Sequence, residues 1–278
     1  MKRNPASLSF SGRASKLRAS YRGFWAGVGR SFPDLGEAAS TRYYVENERR
    51  LFREHLPDLP GLRVFKTDLW DEAKNTRILA WASRLGAIAY GVDISPPTVA
   101  KARLAFDEHG LRAAVSDVRE LPFREGSFDA IYSMGTIEHF DETEQAVLEM
   151  ARVLKPGGRA IVGVPNRHDP FLRPLLSTVL QWLGLYAYGF EKSYSRRSLR
   201  AMIERSGLTV VAETAILFIP GWLRMLDLAC HSWCRPLTRL TSLLVWPFVL
   251  LDRHVPAVRR HGYLLATVAM KPSAPGTV

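Results

Sequence analysis

Cysteine is scarce in this chain. Its 278 residues include two cysteines, Cys230 and Cys234, which excludes a disulfide framework and fits a reducing compartment. These cysteines and His231 have helical spacing, but no second ligand pair follows at zinc-finger spacing, so we predict no metal site. At this length, with 47% hydrophobic residues, the chain can bury the core of one large α/β domain with elaborations, or of two domains at most.

Acidic residues are missing from the start of the chain, where none precedes Asp34. The same stretch is rich in basic residues: Lys2, Arg3, Arg13, Lys16, Arg18, Arg22 and Arg30. The net charge of +11 favours an anionic membrane surface or a polyanion as partner. Arginine and serine without acids are also typical of an organellar transit peptide, whereas the apolar core of a secretory signal is missing. We expect a cytoplasmic protein, with a peripheral membrane location or a transit peptide as alternatives, and an arm that is mobile to about Arg18.

Strand and helix patterns alternate through the rest of the chain. We predict strands at 62–67, 87–94, 111–115, 128–133, 159–164, 208–216 and 262–271, and helices at 36–56, 76–85, 99–109, 141–154 and 194–206. Such alternation predicts a largely parallel sheet that is covered by helices on both faces. Pro57, Pro60 and Gly61 separate a basic arm and helical cap, residues 1–60, from the sheet domain, residues 61–278.

Candidate ligand-binding residues follow three of the predicted strands. Asp93 and Ile94 end the second strand, Asp117 and Val118 follow the third, and Ser133, Met134 and Gly135 end the fourth. Ligands of open parallel sheets bind at the carboxyl ends of the strands, near the switch in strand order. Asp93 is placed to accept hydrogen bonds from the ribose hydroxyls of a nucleoside. A helix cap for Asp93 and a turn for Asp117 are the structural alternatives.

These segments resemble one enzyme superfamily when they are taken in order. The motifs are Gly91-Val92-Asp93-Ile94-Ser95, Val115-Ser116-Asp117 with Leu121-Pro122-Phe123, Phe128-Asp129, and Lys155-Pro156-Gly157-Gly158. Together they resemble the class I S-adenosylmethionine-dependent methyltransferases, in particular the small-molecule, type 11-like branch. The resemblance implies a Rossmann-like seven-stranded sheet, mostly parallel with an antiparallel last strand, and S-adenosylmethionine as cofactor. It also implies that Asp117 accepts a hydrogen bond from the adenine amino group.

The first loop departs from that family. Where its members have a glycine-rich turn, this chain has Lys66-Thr67-Asp68-Leu69-Trp70-Asp71-Glu72. We expect a variant cofactor site at Lys66, Thr67 and Asp68, in which Asp68 binds the methionine ammonium and Lys66 the carboxylate. The alternative is a non-catalytic methyltransferase-like scaffold that no longer binds the cofactor.

Two residues after the fourth strand are candidate catalytic groups. Glu138 and His139 stand where the family brings the methyl group and its acceptor together, and histidine has a pKa suited to a general base. A packing or capping histidine is the structural alternative. Analogy with lids of the family adds candidate substrate-binding residues: Tyr43, Tyr44, His168 and Tyr194.

Long apolar segments indicate which kind of methyl acceptor we expect. Residues 174–190 carry no charge, and 219–228 and 240–251 are mostly apolar but too short to cross a bilayer. We expect lid segments near 170–195 and 217–261, with an apolar or lipid-linked small molecule as methyl acceptor and an anionic membrane as a further partner. Nucleic-acid methylation is disfavoured, because Ser133-Met134-Gly135-Thr136 replaces the Asp/Asn-Pro-Pro-Tyr motif of base-amino methyltransferases. The sequence leaves the oligomeric state open.

Overall fold

A single seven-stranded sheet organises the protein. The computed structural model describes residues 20–56, 58–106 and 110–273. The strands are β1 (Arg63–Lys66), β2 (Ile88–Asp93), β3 (Arg112–Val115), β4 (Phe128–Met134), β5 (Leu154–Pro165), β6 (Thr209–Ile216) and β7 (Leu264–Met270), in the order β3-β2-β1-β4-β5-β7-β6. Strands β1 to β5 pair in parallel, and β7 lies antiparallel between β5 and β6. The predicted fold is confirmed.

Helices cover both faces of this sheet. They are α1 (20–31), α2 (Ala39–His55), α3 (Trp70–Lys74), α4 (Ile78–Arg84), α5 (Pro96–Arg103), α6 (Thr143–Val153), α7 (Arg173–Trp182), α8 (Arg196–Arg205), α9 (Gly221–Trp233) and α10 (Thr238–His254). Consecutive strand residues face opposite sides, so Val64 and Phe65 of β1 belong to different core clusters. Val64 packs in the cluster that includes α2, α4, α9 and α10, and Phe65 in the one that includes α6 and α8.

Local capping moves one helix away from its predicted place. The third predicted helix, 99–109, begins earlier, at Pro96, because the Ser95 hydroxyl accepts a hydrogen bond from the Thr98 amide at 3.4 Å and proline suits a first helical turn. It ends at Arg103, and its predicted end at His109 lies outside the described residues.

Two helices form where the sequence predicted neither a helix nor an apolar lid segment. The first, α1, lies in the basic N-terminal segment, and the other, α3, lies inside the atypical first loop. The predicted mobile arm, up to Arg18, falls outside the described residues. Both helices matter for function because they reach the same edge of the sheet as the candidate ligand-binding residues.

The apolar runs after the fifth strand fold as separate helices. Residues 174–190 form α7 to Trp182 and then an irregular segment, in which Gly184 takes a φ of 68°. The run 219–228 leads into α9, and the run 240–251 lies within α10. These two helices follow β6 and precede β7 in the chain, and they pack against each other. Within the described ranges, no helix is both long and apolar enough to cross a membrane. A lid role for these helices stays a prediction.

Gly262, which lies just before β7, provides a test of packing by its effect on stability. A Cβ added to Gly262 would lie 2.1 Å from the Ile216 carbonyl oxygen at the end of β6, so the backbone itself must move. We expect Gly262→Ala to lower the free energy of unfolding by roughly 3 kcal/mol, measured by urea denaturation. Gly27→Ala is the control, because nothing lies within 4 Å of its added Cβ and alanine favours the helix. An unchanged urea midpoint for Gly262→Ala would contradict this packing.

Candidate active site

A cavity of about 600 Å³ opens at the carboxyl ends of the parallel strands. It lies where the strand order changes direction, since β1 has β2 on one side and β4 on the other. Among the ten predicted cofactor-binding residues, those that line it are Thr67, Asp68, Asp93, Ile94, Asp117, Val118, Met134 and Gly135. Lys66 and Ser133 do not line it. The carboxyl ends of four separate strands therefore meet around one space, as the sequence predicted.

Asp93 is held rigidly at the end of β2. One carboxylate oxygen accepts a hydrogen bond from the Leu69 amide at 2.9 Å, and the other accepts from the Ser95 amide at 2.8 Å. Burial raises the pKa of Asp93 to about 7, although the two amide hydrogen bonds lower it. Each carboxylate oxygen can accept a second hydrogen bond, so Asp93 can still bind hydroxyl groups in the cavity.

Asp117 faces the cavity as part of an ion pair. The Arg119 guanidinium lies 2.6 Å from one carboxylate oxygen of Asp117 and 2.9 Å from the other. Arg119 also lies 4.7 Å above the ring of Phe140. This pairing fixes the carboxylate after β3, and a ligand amino group there would share it with Arg119.

Lys66 lies beneath the first loop. Its buried ammonium nitrogen is 3.1 Å from an Asp68 carboxylate oxygen and 3.4 Å from an Asp71 oxygen. Burial alone lowers the pKa of Lys66, but Asp68 and Asp71 outweigh it and hold the pKa above its usual range. The predicted contact of Lys66 with a cofactor carboxylate therefore needs correction, because α3 covers the ammonium and these two acids use its charge.

Thr67 connects the first loop to β4. Its hydroxyl donates a hydrogen bond to the Ser133 hydroxyl at 2.8 Å and lies 3.1 Å from the Thr136 hydroxyl. Thr136 in turn donates to an Asp68 carboxylate oxygen at 2.6 Å. Ser133 thus supports the cavity wall from behind and does not reach the cavity, contrary to the prediction.

Glu138 and His139 lie side by side on a short turn after β4, and both line the cavity. The His139 Nδ1 atom is 2.8 Å from the Phe190 carbonyl oxygen, which can only accept, so we assign the proton to Nδ1. The other ring nitrogen, Nε2, lies 3.9 Å from a Glu138 oxygen. Burial lowers the pKa of His139, while burial and then Glu191 raise that of Glu138 well above its usual value. Both shifts favour the uncharged forms of these two side chains.

The same corner has the residue types of a cation site. One ligand atom each from Glu138, His139 and Glu191 lie within 4.8 Å of one another. However, the Arg173 guanidinium is 2.6 Å from a Glu191 oxygen and already supplies a positive charge there. We therefore read these residues as a hydrogen-bonding group.

Helix α1 covers the cavity over His139. The rings of Trp25 and His139 are 4.9 Å apart, and Phe32 just after the helix packs on Trp70 at 5.0 Å and on Tyr188 at 5.3 Å. Sequence reasoning treated this segment as a basic arm. Its clustered aromatics, Tyr21 and Trp25 among them, were the signal that it packs on the fold.

The four candidate substrate-binding residues differ in whether they line the cavity. Tyr44 lines the cavity. Tyr43 does not: it is buried on another face of α2, where its hydroxyl accepts a hydrogen bond from the Phe218 amide at 3.2 Å. His168 is exposed and does not line the cavity. Tyr194 does not line it either: its hydroxyl is hydrogen-bonded to the Thr143 hydroxyl, 3.1 Å away. One of the four candidate positions, Tyr44, therefore lines the cavity, and substrate binding by these residues stays a prediction.

Several cavity residues were missed by the sequence analysis. They are Arg173, Tyr186, Tyr188, Glu191, Arg224 and Tyr263. The available signal was charge: Arg173 directly precedes the uncharged run 174–190, and Arg224 interrupts an apolar run. An isolated charge in an apolar helix must find a partner, solvent or a ligand.

Comparison with known proteins agrees with the motifs. Residues 72–162 match the family described as "Methyltransferase domain". A probable chloroplastic tocopherol O-methyltransferase of Oryza sativa is 39% identical over 146 residues, which are 47% of this chain and 39% of the rice protein. A ubiquinone biosynthesis O-methyltransferase of Rhodopseudomonas palustris is 28% identical over 143 residues, 50% of this chain and 56% of its own. A probable tRNA methyltransferase 9B of Homo sapiens is 43% identical over 86 residues, 28% of this chain and 18% of the human protein. This chain thus spans less than two thirds of each relative.

Solved structures share the fold over most of the chain. Magnesium protoporphyrin IX methyltransferase from Synechocystis, solved with bound S-adenosylhomocysteine, has a TM-score of 0.54 at 15% identity and covers 82% of this chain and 83% of its own. The [4+2]-cyclase SpnF has a TM-score of 0.58 at 18% identity and covers 83% and 81%. Residues 72–162 thus match a methyltransferase domain, and the solved structures show that most of the chain shares their fold.

Lys66 supplies a test of the site's internal electrostatics. Lys66→Met leaves the buried Asp71 and the partly buried Asp68 without this cation, so we expect it to lower the free energy of unfolding by about 3–5 kcal/mol near neutral pH. Burial already raises the pKa of Asp71, and losing Lys66 raises it further. The cost should therefore be small at acid pH, where Asp71 is protonated, and should grow as the pH rises through the folded-state pKa.

The control for Lys66 is a similar but exposed pair. The Lys155 ammonium lies 2.5 Å from an Asp129 oxygen, with 39% of the lysine side chain exposed. Lys155→Met should cost about 1 kcal/mol or less in urea denaturation. Equal, pH-independent losses for both variants would refute the role given to Lys66, and Asp71→Asn should partly restore Lys66→Met.

Proposed function

We propose that this chain, which carries a class I methyltransferase domain, transfers a methyl group from S-adenosylmethionine to a small apolar or lipid-like acceptor. One observation carries the proposal: a single cavity joins the carboxylates at the strand ends, Asp93 and Asp117, to a half that is lined by aromatic and apolar residues. In this proposal α1 and the segments after Asn166 serve as the lid.

The strand-end residues suit the polar parts of the cofactor. Asp93 would accept hydrogen bonds from the ribose hydroxyls, and Asp117 from the adenine amino group. Gly135, with a φ of 75°, turns the chain away at the end of β4 so that backbone borders the cavity. Asp68 would bind the methionine ammonium, since its carboxylate lines the cavity between Lys66 and Thr136.

The residues beside the cavity suit proton removal from an acceptor. The bound cofactor would supply a methyl group on an electrophilic sulfonium, so the protein mainly has to align the acceptor. His139 is neutral by virtue of its lowered pKa, and its Nε2 atom would take the proton of an acceptor hydroxyl. Burial raises the pKa of Glu138, which favours its protonated form, and in that form it would donate a hydrogen bond to the same acceptor.

The relatives and the cavity walls support an apolar acceptor. Two of the relatives are named as a probable tocopherol O-methyltransferase and a ubiquinone biosynthesis O-methyltransferase. Tyr44, Tyr188 and Tyr263 provide matching aromatic walls here. These walls favour a lipid-like acceptor over nucleic acid, which the positive net charge alone would suggest.

The proposal is tested by calorimetric titration of S-adenosylhomocysteine. We expect Asp93→Asn to weaken binding by roughly 10-fold or more, because the substitution removes a charged hydrogen-bond acceptor. Wild-type affinity should fall as the pH drops below about 7, where the Asp93 carboxylate becomes protonated, and Asp93→Asn should lose that dependence.

The control is Asp58→Asn, since Asp58 is exposed and outside the cavity. Its affinity should equal that of the wild type at each pH. If the wild type binds neither S-adenosylmethionine nor S-adenosylhomocysteine, even with an alkylphenol added as acceptor mimic, the chain is a scaffold that has lost the cofactor.

We further propose that an anionic membrane delivers the acceptor. The apolar face consists of exposed side chains on α7, α9 and α10: Leu175, Val179, Trp182, Trp222, Leu226, Trp233, Leu240, Leu243 and Trp246. Trp182 and Trp233 are 84% and 86% exposed. Helix α9 also lines the cavity through Met225 and Leu228, so the apolar face continues into the acceptor half. The net charge of +11 complements an anionic lipid surface.

Sedimentation with phosphatidylglycerol vesicles tests this contact. We expect Trp182→Ser/Trp233→Ser to release the protein, whereas Leu104→Ser, which removes an 85% exposed leucine just after α5, should not. Phe248 is a poor choice for this test because it packs against Phe171 and Phe218 at 5.8 and 6.4 Å. A wild-type protein that stays in the supernatant would rule out the membrane contact.

A further inference from the structure

Two arginines meet the cavity on the side away from β2 and β3. Arg173 begins α7 and Arg224 lies in the first turn of α9, and their side chains are almost fully buried, at 4% and 8% exposure. The two helix starts approach closely, because a Cβ added to Gly221 would lie 3.2 Å from the Arg173 Cγ atom. Glycine at this position lets the Arg173 side chain pass over the start of α9.

Arg173 has more buried hydrogen-bond donors than it has acceptors to receive them. One terminal nitrogen, Nη2, pairs with Glu191 at 2.6 Å and lies 3.2 Å from the Tyr186 hydroxyl, and the guanidinium stacks over Tyr263 at 4.2 Å. The other terminal nitrogen, Nη1, and Nε are buried without a hydrogen-bond partner. Buried polar groups are nearly always hydrogen-bonded, so these two donors indicate a partner that occupies the cavity.

Arg224 leaves positive charge uncompensated. Its guanidinium donates to the Ser40 carbonyl oxygen at 3.2 Å and lies 5.3 Å over the Tyr44 ring. In the part of the chain that the structure describes, no carboxylate lies within 4.0 Å of it. The neighbouring Asp227 carboxylate accepts from the Ser40 amide at 2.8 Å and from the Thr241 hydroxyl at 2.7 Å, so it faces the α2 and α10 side.

The charges in this half of the cavity therefore do not balance. Among the described residues, these two buried guanidinium groups have one carboxylate within ion-pairing distance, that of Glu191 beside Arg173, and burial raises the pKa of the nearby Glu138 carboxyl group well above its usual value. A buried cation without a counter-ion is costly. Guanidinium donors in a planar fork match the two oxygens of a carboxylate, and the aromatic walls lower the dielectric around them.

We infer that Arg173 and Arg224 form a subsite for a carboxylate inside the cavity. Two ligands have that chemistry: the α-carboxylate of the cofactor, for which Lys66 is not accessible, and an acidic group on the acceptor. This inference deepens the proposed function and rests on it for the choice between those sources. The subsite itself can be tested without it.

The first arm asks whether the carboxylate belongs to the cofactor. Calorimetry would compare S-adenosylhomocysteine with its decarboxylated analogue on the wild type and on Arg224→Met. A cofactor carboxylate in the subsite predicts a loss of about 10- to 100-fold in affinity for S-adenosylhomocysteine and little change for the analogue. Arg224→Lys, which keeps the charge, should recover part of the loss.

The second arm asks whether the carboxylate belongs to the acceptor. Here the probes are 4-hexylbenzoate and 4-hexylbenzyl alcohol, titrated into protein saturated with S-adenosylhomocysteine. An acceptor carboxylate predicts that the wild type prefers the benzoate and that Arg224→Met abolishes the preference while its affinity for S-adenosylhomocysteine is unchanged.

Controls separate this inference from folding and from the proposed function. Arg239→Met removes an exposed arginine of α10 and should change neither arm. Arg173→Met/Glu191→Gln removes the buried pair together and keeps the charge balanced, which guards against unfolding. If the wild type binds no S-adenosylhomocysteine, the proposed function fails and the benzoate arm is run on free protein. No benzoate preference in the wild type, together with unchanged S-adenosylhomocysteine affinity in Arg224→Met, would overturn the subsite.

Discussion

The buried ammonium of Lys66 is the contact on which the candidate site depends. Lys66 is the last residue of β1, and its ammonium nitrogen lies 3.1 Å from an Asp68 oxygen and 3.4 Å from an Asp71 oxygen. Such a charge is tolerable inside a protein only when its partners are close and fixed. The loop between β1 and α4 is therefore shaped by an ion pair, where the resembling family uses glycines to let backbone approach the cofactor.

The loop that contains this ion pair also fixes other residues of the cavity. The loop backbone donates from Leu69 to Asp93, which fixes the carboxylate at the end of β2, and the loop hydroxyl of Thr67 connects to Ser133 at the end of β4. Three strand ends are thus held by one loop. Its acids are also close enough to one another that burial and mutual repulsion raise the pKa of Asp71 and Glu72. In this site, electrostatic contacts restrict the loop after β1 and reduce its flexibility.

The two halves of the cavity differ in how their residues are recruited. The strand-end half comes from a continuous part of the chain, because consecutive parallel strands end at one edge of the sheet. The other half combines α1, α2, the segment after α7 and the start of α9, which are far apart in sequence. Its aromatic walls and its two buried arginines, Arg173 and Arg224, exist only once these helices pack together.

The sequence by itself determined the strands, their largely parallel pairing and the carboxylates at their ends, because periodicity and strand-end motifs are local signals. It also identified Glu138 and His139, which follow β4 directly. Tertiary structure decided that Lys66 is buried, that Tyr44 and not Tyr43 faces the cavity, and that α1 lies over His139. Helix direction and long-range burial set these outcomes, since which side of a helix meets a cavity depends on neighbours that no local pattern encodes.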